Sequence, residues 1–178
     1  EFYRKYYHSG NCSVYVSGKV TPEIVRCIES NLGEAPWGEI RTMPSLELIE
    51  PQQTTEKHVF VEKADALQSS LKMGGFMMDR VHPDFLKARV MVTLFGGYFG
   101  SRLMSNIRED KGYTYGIGAG IVNCPGSGVL VITTEADNQY IDAIISEVYQ
   151  EMDRMCNDLA PLEELEMVRS YMLGDFCR

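Results

Sequence analysis

The chain has 178 residues, 44% of them apolar, and a formal net charge of −8. That length can bury a real core, and the acidity argues against gripping a nucleic-acid backbone, which takes a basic face; it reads as solubility. No stretch approaches the roughly 20 apolar residues of a membrane span, and residues 1–7 lack the apolar run of a signal peptide.

Residues 13–17 alternate and predict a strand, turned by Gly18. Thr21-Pro22-Glu23 starts a helix: a hydroxyl N-cap, then a proline whose missing N–H costs nothing. Ile24, Ile28 and Leu32 share its face and Gly33 ends it. Residues 34–56 hold Pro36, Pro44 and Pro51 without periodicity and read as an irregular connection packing at Trp37. Two further strands are expected over 57–62 and 67–73. A helix from Asp84 to Phe95 is broken by Gly96-Gly97, and Ser101 starts another with Leu103, Met104 and Ile107 on its apolar face. Gly112 stops it. Residues 113–122 and 129–135 form a hairpin joined across Asn123 to Gly128. Asp137-Asn138 caps a long helix carrying Ile141, Ile144, Ile145, Val148 and Met152 inside. Pro161 opens the last helix, faced by Leu165, Val168 and Met172. This order predicts an α+β fold, a mostly antiparallel sheet with helices packed on one face. We expect residues 1–178 to be one domain, a fragment of a longer chain cut at both ends, because the pattern opens and stops mid-element.

Metal chemistry finds little support. The five cysteines, Cys12, Cys27, Cys124, Cys156 and Cys177, make no C-x-x-C pair and are odd in number, so buried free thiols are expected. His8, His58 and His82 are scattered, and no H-x-x-E-H occurs; ordinary surface or satisfied histidines are the expectation. The glycines of Gly96-Gly97-Tyr98-Phe99-Gly100 and Gly116-Ile117-Gly118-Ala119-Gly120 admit a nucleotide-binding reading. The first run lacks the G-K-[ST] ending of a phosphate loop, and no helix follows the second, so a helix terminator and a closely approached strand are preferred.

The most informative stretch runs from Ser101 to Gly116. Arg108 follows Met104 by one helical turn, and Tyr115 lies in the next strand, on the same side as Tyr113, Ile117 and Ala119. The two either converge beside a strand edge as a binding pair or make a purely structural contact, with Arg108 serving the helix-end carbonyls.

Gly96-Gly97, Ser101-Arg102-Leu103 and then Ile107-Arg108-Glu109-Asp110-Lys111-Gly112-Tyr113-Thr114-Tyr115 resemble the pitrilysin/insulinase family of zinc metallopeptidases, in the C-terminal-type domain that does not bind zinc. The family pattern is G-G-x-x-S-S-R-L, then L-R-E-x-x-G-L-A-Y. Phe2, Tyr6-Tyr7, Asn11 and Val14 to Gly18 match its opening strand; His82-Pro83-Asp84-Phe85 and Pro161-Leu162-Glu163-Glu164-Leu165-Glu166 match two helix starts. The likeness spans nearly the whole chain and looks like a piece of a bacterial zinc protease. Gly100 stands where a family serine is usual, and Tyr113-Thr114 replaces Leu-Ala; Arg108 and Tyr115 keep their separation.

The resemblance implies a metallopeptidase-like fold, shared with mitochondrial processing peptidase. It implies an inactive peptidase domain with no metal or cofactor of its own, whose zinc sits in an H-x-x-E-H partner domain, in cis or in a second subunit. That partner's glutamate would act as general base, while Arg108 and Tyr115 bind the peptide substrate. The implied role is peptide binding within a hydrolase that carries out proteolysis, with no catalytic residue in this chain. A homodimer of the fragment, and either the periplasm or the cytoplasm, stay open. The rival reading is a non-catalytic assembly module of the same fold.

Overall fold

The computed structural model describes residues 1–38, 55–124 and 126–177. The chain divides into two units, Glu1–Ile49 and Glu50–Arg178. In the first, the described residues form α1 (Phe2–Tyr6), a 3₁₀ turn (Ser9–Asn11) and α2 (Pro22–Ile28), which continues through a π-helical turn at Glu29–Gly33. The helix therefore starts at its proline and ends at its glycine, as the sequence predicts. Trp37 is half-buried: its carbonyl accepts from the Ser9 N–H at 2.9 Å, and its indole donates to the Leu32 carbonyl at 3.3 Å. Beyond Gly38 the proline-rich connection lies outside the described residues until 55.

The second unit is built on β1 (Ser69–Met77), β2 (Thr114–Cys124) and β3 (Ser127–Ala136), antiparallel in the order β1-β3-β2. The predicted hairpin closes with Cys124 opposite Ser127, and Gly126 takes φ +79°, a left-handed conformation that suits glycine. Helices α3 (Phe85–Val92), α4 (Ile141–Asn157) and α5 (Leu162–Phe176) supply the rest, with π-helical stretches at Thr93–Gly97 and Met104–Asp110. No helix among the described residues is long and apolar enough to cross a membrane.

The core forms where the two periodicities meet. Period-2 residues Ile117, Ile132 and Ala136 face helical residues Phe95, Leu103, Ile107, Ile144 and Val148. On the other side of the sheet Phe76 and Val122 stay exposed, so the helices cover one face, as expected for this α+β class. Of the faces predicted for α4 and α5, Ile144, Val148 and Val168 are buried, whereas Leu165 is exposed.

Three expectations fail. Residues 13–17 and 57–62 have strand-like sequences but no strand partner among the described residues; Tyr15, Val59, Phe60 and Val61 are exposed. Alternation shows that a segment can pair, and a strand exists only when a neighbour completes its hydrogen bonds. The five cysteines are unpaired but exposed, not buried. Their burial was inferred from residue type alone, which tertiary position overrides.

A close approach seats the helical layer. A Cβ placed on Gly96 would lie 2.7 Å from Ala119 Cβ and 2.8 Å from Ala119 N, with Leu103 Cδ1 at 3.0 Å. The end of the Thr93–Gly97 turn thus lies directly against β2. This is the physical content of the first glycine run: a packing contact with the neighbouring strand. Gly96→Ala should lower unfolding stability by about 1–3 kcal/mol, since strand backbone must give way. A Gly97→Ala control should cost less, because its Cβ meets only the Thr93 side chain at 3.3 Å and beyond. Denaturant unfolding of both variants checks this, and equal midpoints would refute it.

Candidate functional site

The Met104–Asp110 helix is fixed from two sides. Leu103 and Ile107 are fully buried beneath it. On its flank Asn106 Nδ2 donates to Glu147 Oε2 at 3.1 Å and to Glu151 Oε1 at 2.8 Å, Arg154 Nη1 meets Glu151 Oε1 at 2.6 Å, and Lys111 Nζ meets Glu147 Oε1 at 3.0 Å. Glu151 is almost fully buried, so this polar bridge to α4 sits where unpartnered charge would be costly. Arg102 clamps the start of the segment to Glu164 at the head of α5, Nε and Nη2 each 3.0 Å from Oε2.

With Ile107 turned inward, Arg108 lies on the helix flank, about one third exposed. Its guanidinium carbon lies 4.5 Å from the centre of the Phe99 ring, its Nε donates to the Tyr115 carbonyl at 3.0 Å, and its Nη1 is 3.5 Å from Glu109 Oε1. Arg108 and Tyr115 do meet, as their spacing suggested. They meet through the tyrosine's backbone, and the Nε bond reaches into the strand, away from the carbonyls of its own helix end.

The tyrosine ring goes elsewhere because β2 is bulged. Thr114 pairs with Ala136 and Ile117 with Thr134, so three steps on β2 match two on β3. The Thr114 hydroxyl donates to the Glu135 carbonyl at 2.7 Å and accepts from Gly116 N–H at 3.2 Å. The Thr134 hydroxyl donates to the Gly116 carbonyl at 2.8 Å. The extra residue breaks the strict alternation assumed from sequence: Ile117 is buried, whereas Tyr115 is 92% exposed. The expectation that Tyr115 shares the side of Ile117 and Ala119 is therefore corrected. The participation of Phe99 was missed; its signal was an aromatic residue inside a glycine-flanked loop leading into the arginine's helix.

No group of three His, Cys, Asp or Glu among the described residues could hold a metal ion. His8 is buried with neither ring nitrogen hydrogen-bonded, which departs from the satisfied histidine expected. His82 spends Nδ1 on the Asp84 N–H at 3.1 Å, and His58 is exposed. The described residues therefore offer no ligand set that fits zinc.

Burial opposes ionisation of Glu147, but hydrogen bonds from Lys111 and Asn106 and the charges of Lys111 and Arg154 outweigh it and hold its carboxyl below the usual 4.5. A folded-state value below the unfolded one stabilises the fold above about pH 4.5, a contribution lost as pH falls through the lowered value. Glu147→Gln should thus flatten the loss of stability on acidification below that pH. Melting temperatures from pH 7 to 3 test it, and parallel curves for variant and parent would count against it.

Residues 1–172 match the family model described as the Peptidase M16 inactive domain. The chain is 27% identical to an uncharacterized zinc protease of Rickettsia bellii over 174 residues, 96% of this chain and 40% of that protein. It is 22% identical to an uncharacterized zinc protease of Bacillus subtilis, over 98% and 41%. It thus spans about two fifths of the length of these curated relatives. Among solved structures, a peptidase M16 inactive domain from Pseudomonas fluorescens superposes with a TM-score of 0.59 at 25% identity, over 62% of this chain and 27% of that one. A Helicobacter pylori protease gives 0.71 at 16% identity, over 90% and 39%. With residues 1–172 of its 178 matched by the family model, the chain belongs to the peptidase M16 inactive-domain family, the non-catalytic domain of zinc-protease-like proteins.

Proposed function

We propose that this chain is the substrate-holding half of a two-part zinc metallopeptidase. It binds an extended peptide and completes the site of a separate zinc domain, present in cis or on a second subunit. In this reading residues 1–178 act as one domain of a longer protein, and the metal that drives hydrolysis belongs to the partner. The observation that carries it is the pairing of Arg108 with Tyr115 on an outer strand: a partly exposed cation fixed through one nitrogen, beside an almost fully exposed phenol. Guanidinium has five N–H donors; Nε uses one and Nη1 is only loosely engaged by Glu109 at 3.5 Å, which leaves donors for a peptide carbonyl. β2 has β3 on one side and no strand partner on the other among the described residues, so an extended peptide can add its backbone there with little demand on sequence. When the scissile carbonyl is attacked, negative charge builds on its oxygen, and a donor already in place is worth about 10²–10³ in rate.

One observation favours the assembly-module reading: Arg108 is spent partly on a backbone carbonyl, a bond that could be structural. Mutation separates the two. In the enzyme assembled with its zinc domain, Tyr115→Phe should lower kcat/KM by about 10²-fold, roughly 2.7 kcal/mol, with an unchanged melting temperature because the ring touches no core. Arg108→Ala should do at least as much and shift melting by a few degrees. Their combined loss should be less than additive if both act on one intermediate. Full turnover in the double mutant would end the substrate-holding reading.

The reading also places the zinc elsewhere. The isolated chain should retain less than a tenth of an equivalent of zinc after dialysis, about the level of adventitious binding expected where no ligand set converges. Elemental analysis measures it, and one zinc per chain would overturn the arrangement.

A further inference from the structure

We infer that Phe99 is a positioning residue for Arg108, a role that rests on Arg108 being a substrate contact. The geometry is specific. Phe99 is 61% exposed, so burial does not explain its place, and it stands under the guanidinium with 4.5 Å from ring centre to Cζ. Nε is tied to the Tyr115 carbonyl on β2. A planar group held on one face by a ring and along one edge by a hydrogen bond keeps few orientations. The two Nη groups are thereby directed together, and the entropy of ordering them is met before a peptide arrives. Glu109 Oε1, at 3.5 Å from Nη1, is too distant to fix the group by itself. Phe99 reaches this position because Gly96 seats the preceding turn against β2 and Ser101 N–H bonds the Tyr98 carbonyl at 3.1 Å, folding the 98–101 loop back toward the helix.

Phe99 touches no reacting atom in this scheme; it acts through Arg108, and the test must show that dependence. In the enzyme assembled with its zinc domain, Phe99→Leu and Phe99→Met should each lower kcat/KM about three- to fivefold, mainly in KM, as loss of an exposed cation–π contact implies. Agreement between the two excludes a folding defect peculiar to either. Phe99→Trp, which keeps a ring under the cation, should restore activity. In an Arg108→Ala background the same substitutions should change nothing, because the group they position is gone. Equal losses with and without Arg108, no loss in either Phe99 variant, or failure of Trp to rescue would each overturn the inference while leaving Arg108 as a substrate contact. If Arg108→Ala alone is silent, the reading of Arg108 falls and this inference falls with it.

Discussion

Between Thr114 and Ile117 strand β2 carries one residue more than β3 can pair, and the hydroxyls of Thr114 and Thr134 hold that excess in place. The bulge separates two demands on one strand. From Ile117 onward β2 must feed the core, and Ile117 is buried against the helical layer. At Tyr115 it must present a ring to solvent and a carbonyl to Arg108. A regular strand would give Tyr115 and Ile117 the same face, so the phenol would compete with the core for space. The extra residue removes that conflict, at the expense of ladder hydrogen bonds that the two threonines largely replace.

The arginine's side of the site depends on rigidity of another kind. Its helix is anchored by apolar burial at Leu103 and Ile107, by the Asn106–Glu147–Glu151 bridge to α4, and by the Arg102–Glu164 pair to α5. Each anchor comes from a different part of the chain, over sequence separations of 41 to 62 residues for the polar ones. A side chain between such anchors can be held to within fractions of an ångström, which positioned donors require. The glycine run before it belongs to the same device: Gly96 lets the backbone come close enough to β2 for Phe99 and Arg108 to meet near Tyr115.

How much of this was legible in the sequence varied with the physics involved. Helix ends set by local chemistry were read correctly: Pro22, Gly33, Gly112 and Pro161 stand where elements begin or stop. So was the hairpin, whose turn chemistry is local, and so was the buried stripe of α4, whose period repeats over many residues. The strands expected at 13–17 and 57–62 were misread, because pairing depends on a distant partner and alternation shows only that a segment is willing. The proximity of Arg108 and Tyr115 was legible from their spacing and the turn at Gly112. The mode of contact was not. A bulge is an offset between two strands, and neither strand's own sequence displays it. The Phe99 contact, likewise, arises from a loop folding back, which periodicity does not encode.

β2 has a further property as an outer strand. Its eleven residues, Thr114–Cys124, contain no charged side chain and no proline, and its outward edge has no strand partner among the described residues. Outer strands of soluble proteins are normally blunted by a lysine, a proline or a covering segment, because bare backbone donors and acceptors recruit whatever extended chain comes near. An uncharged edge of this length is a template for self-association, and its exposed Cys124 adds an oxidisable thiol at the same end. The edge that can take up an extended peptide is thus also the edge through which two copies of the chain would pair, opposed by the net charge of −8 that each copy carries.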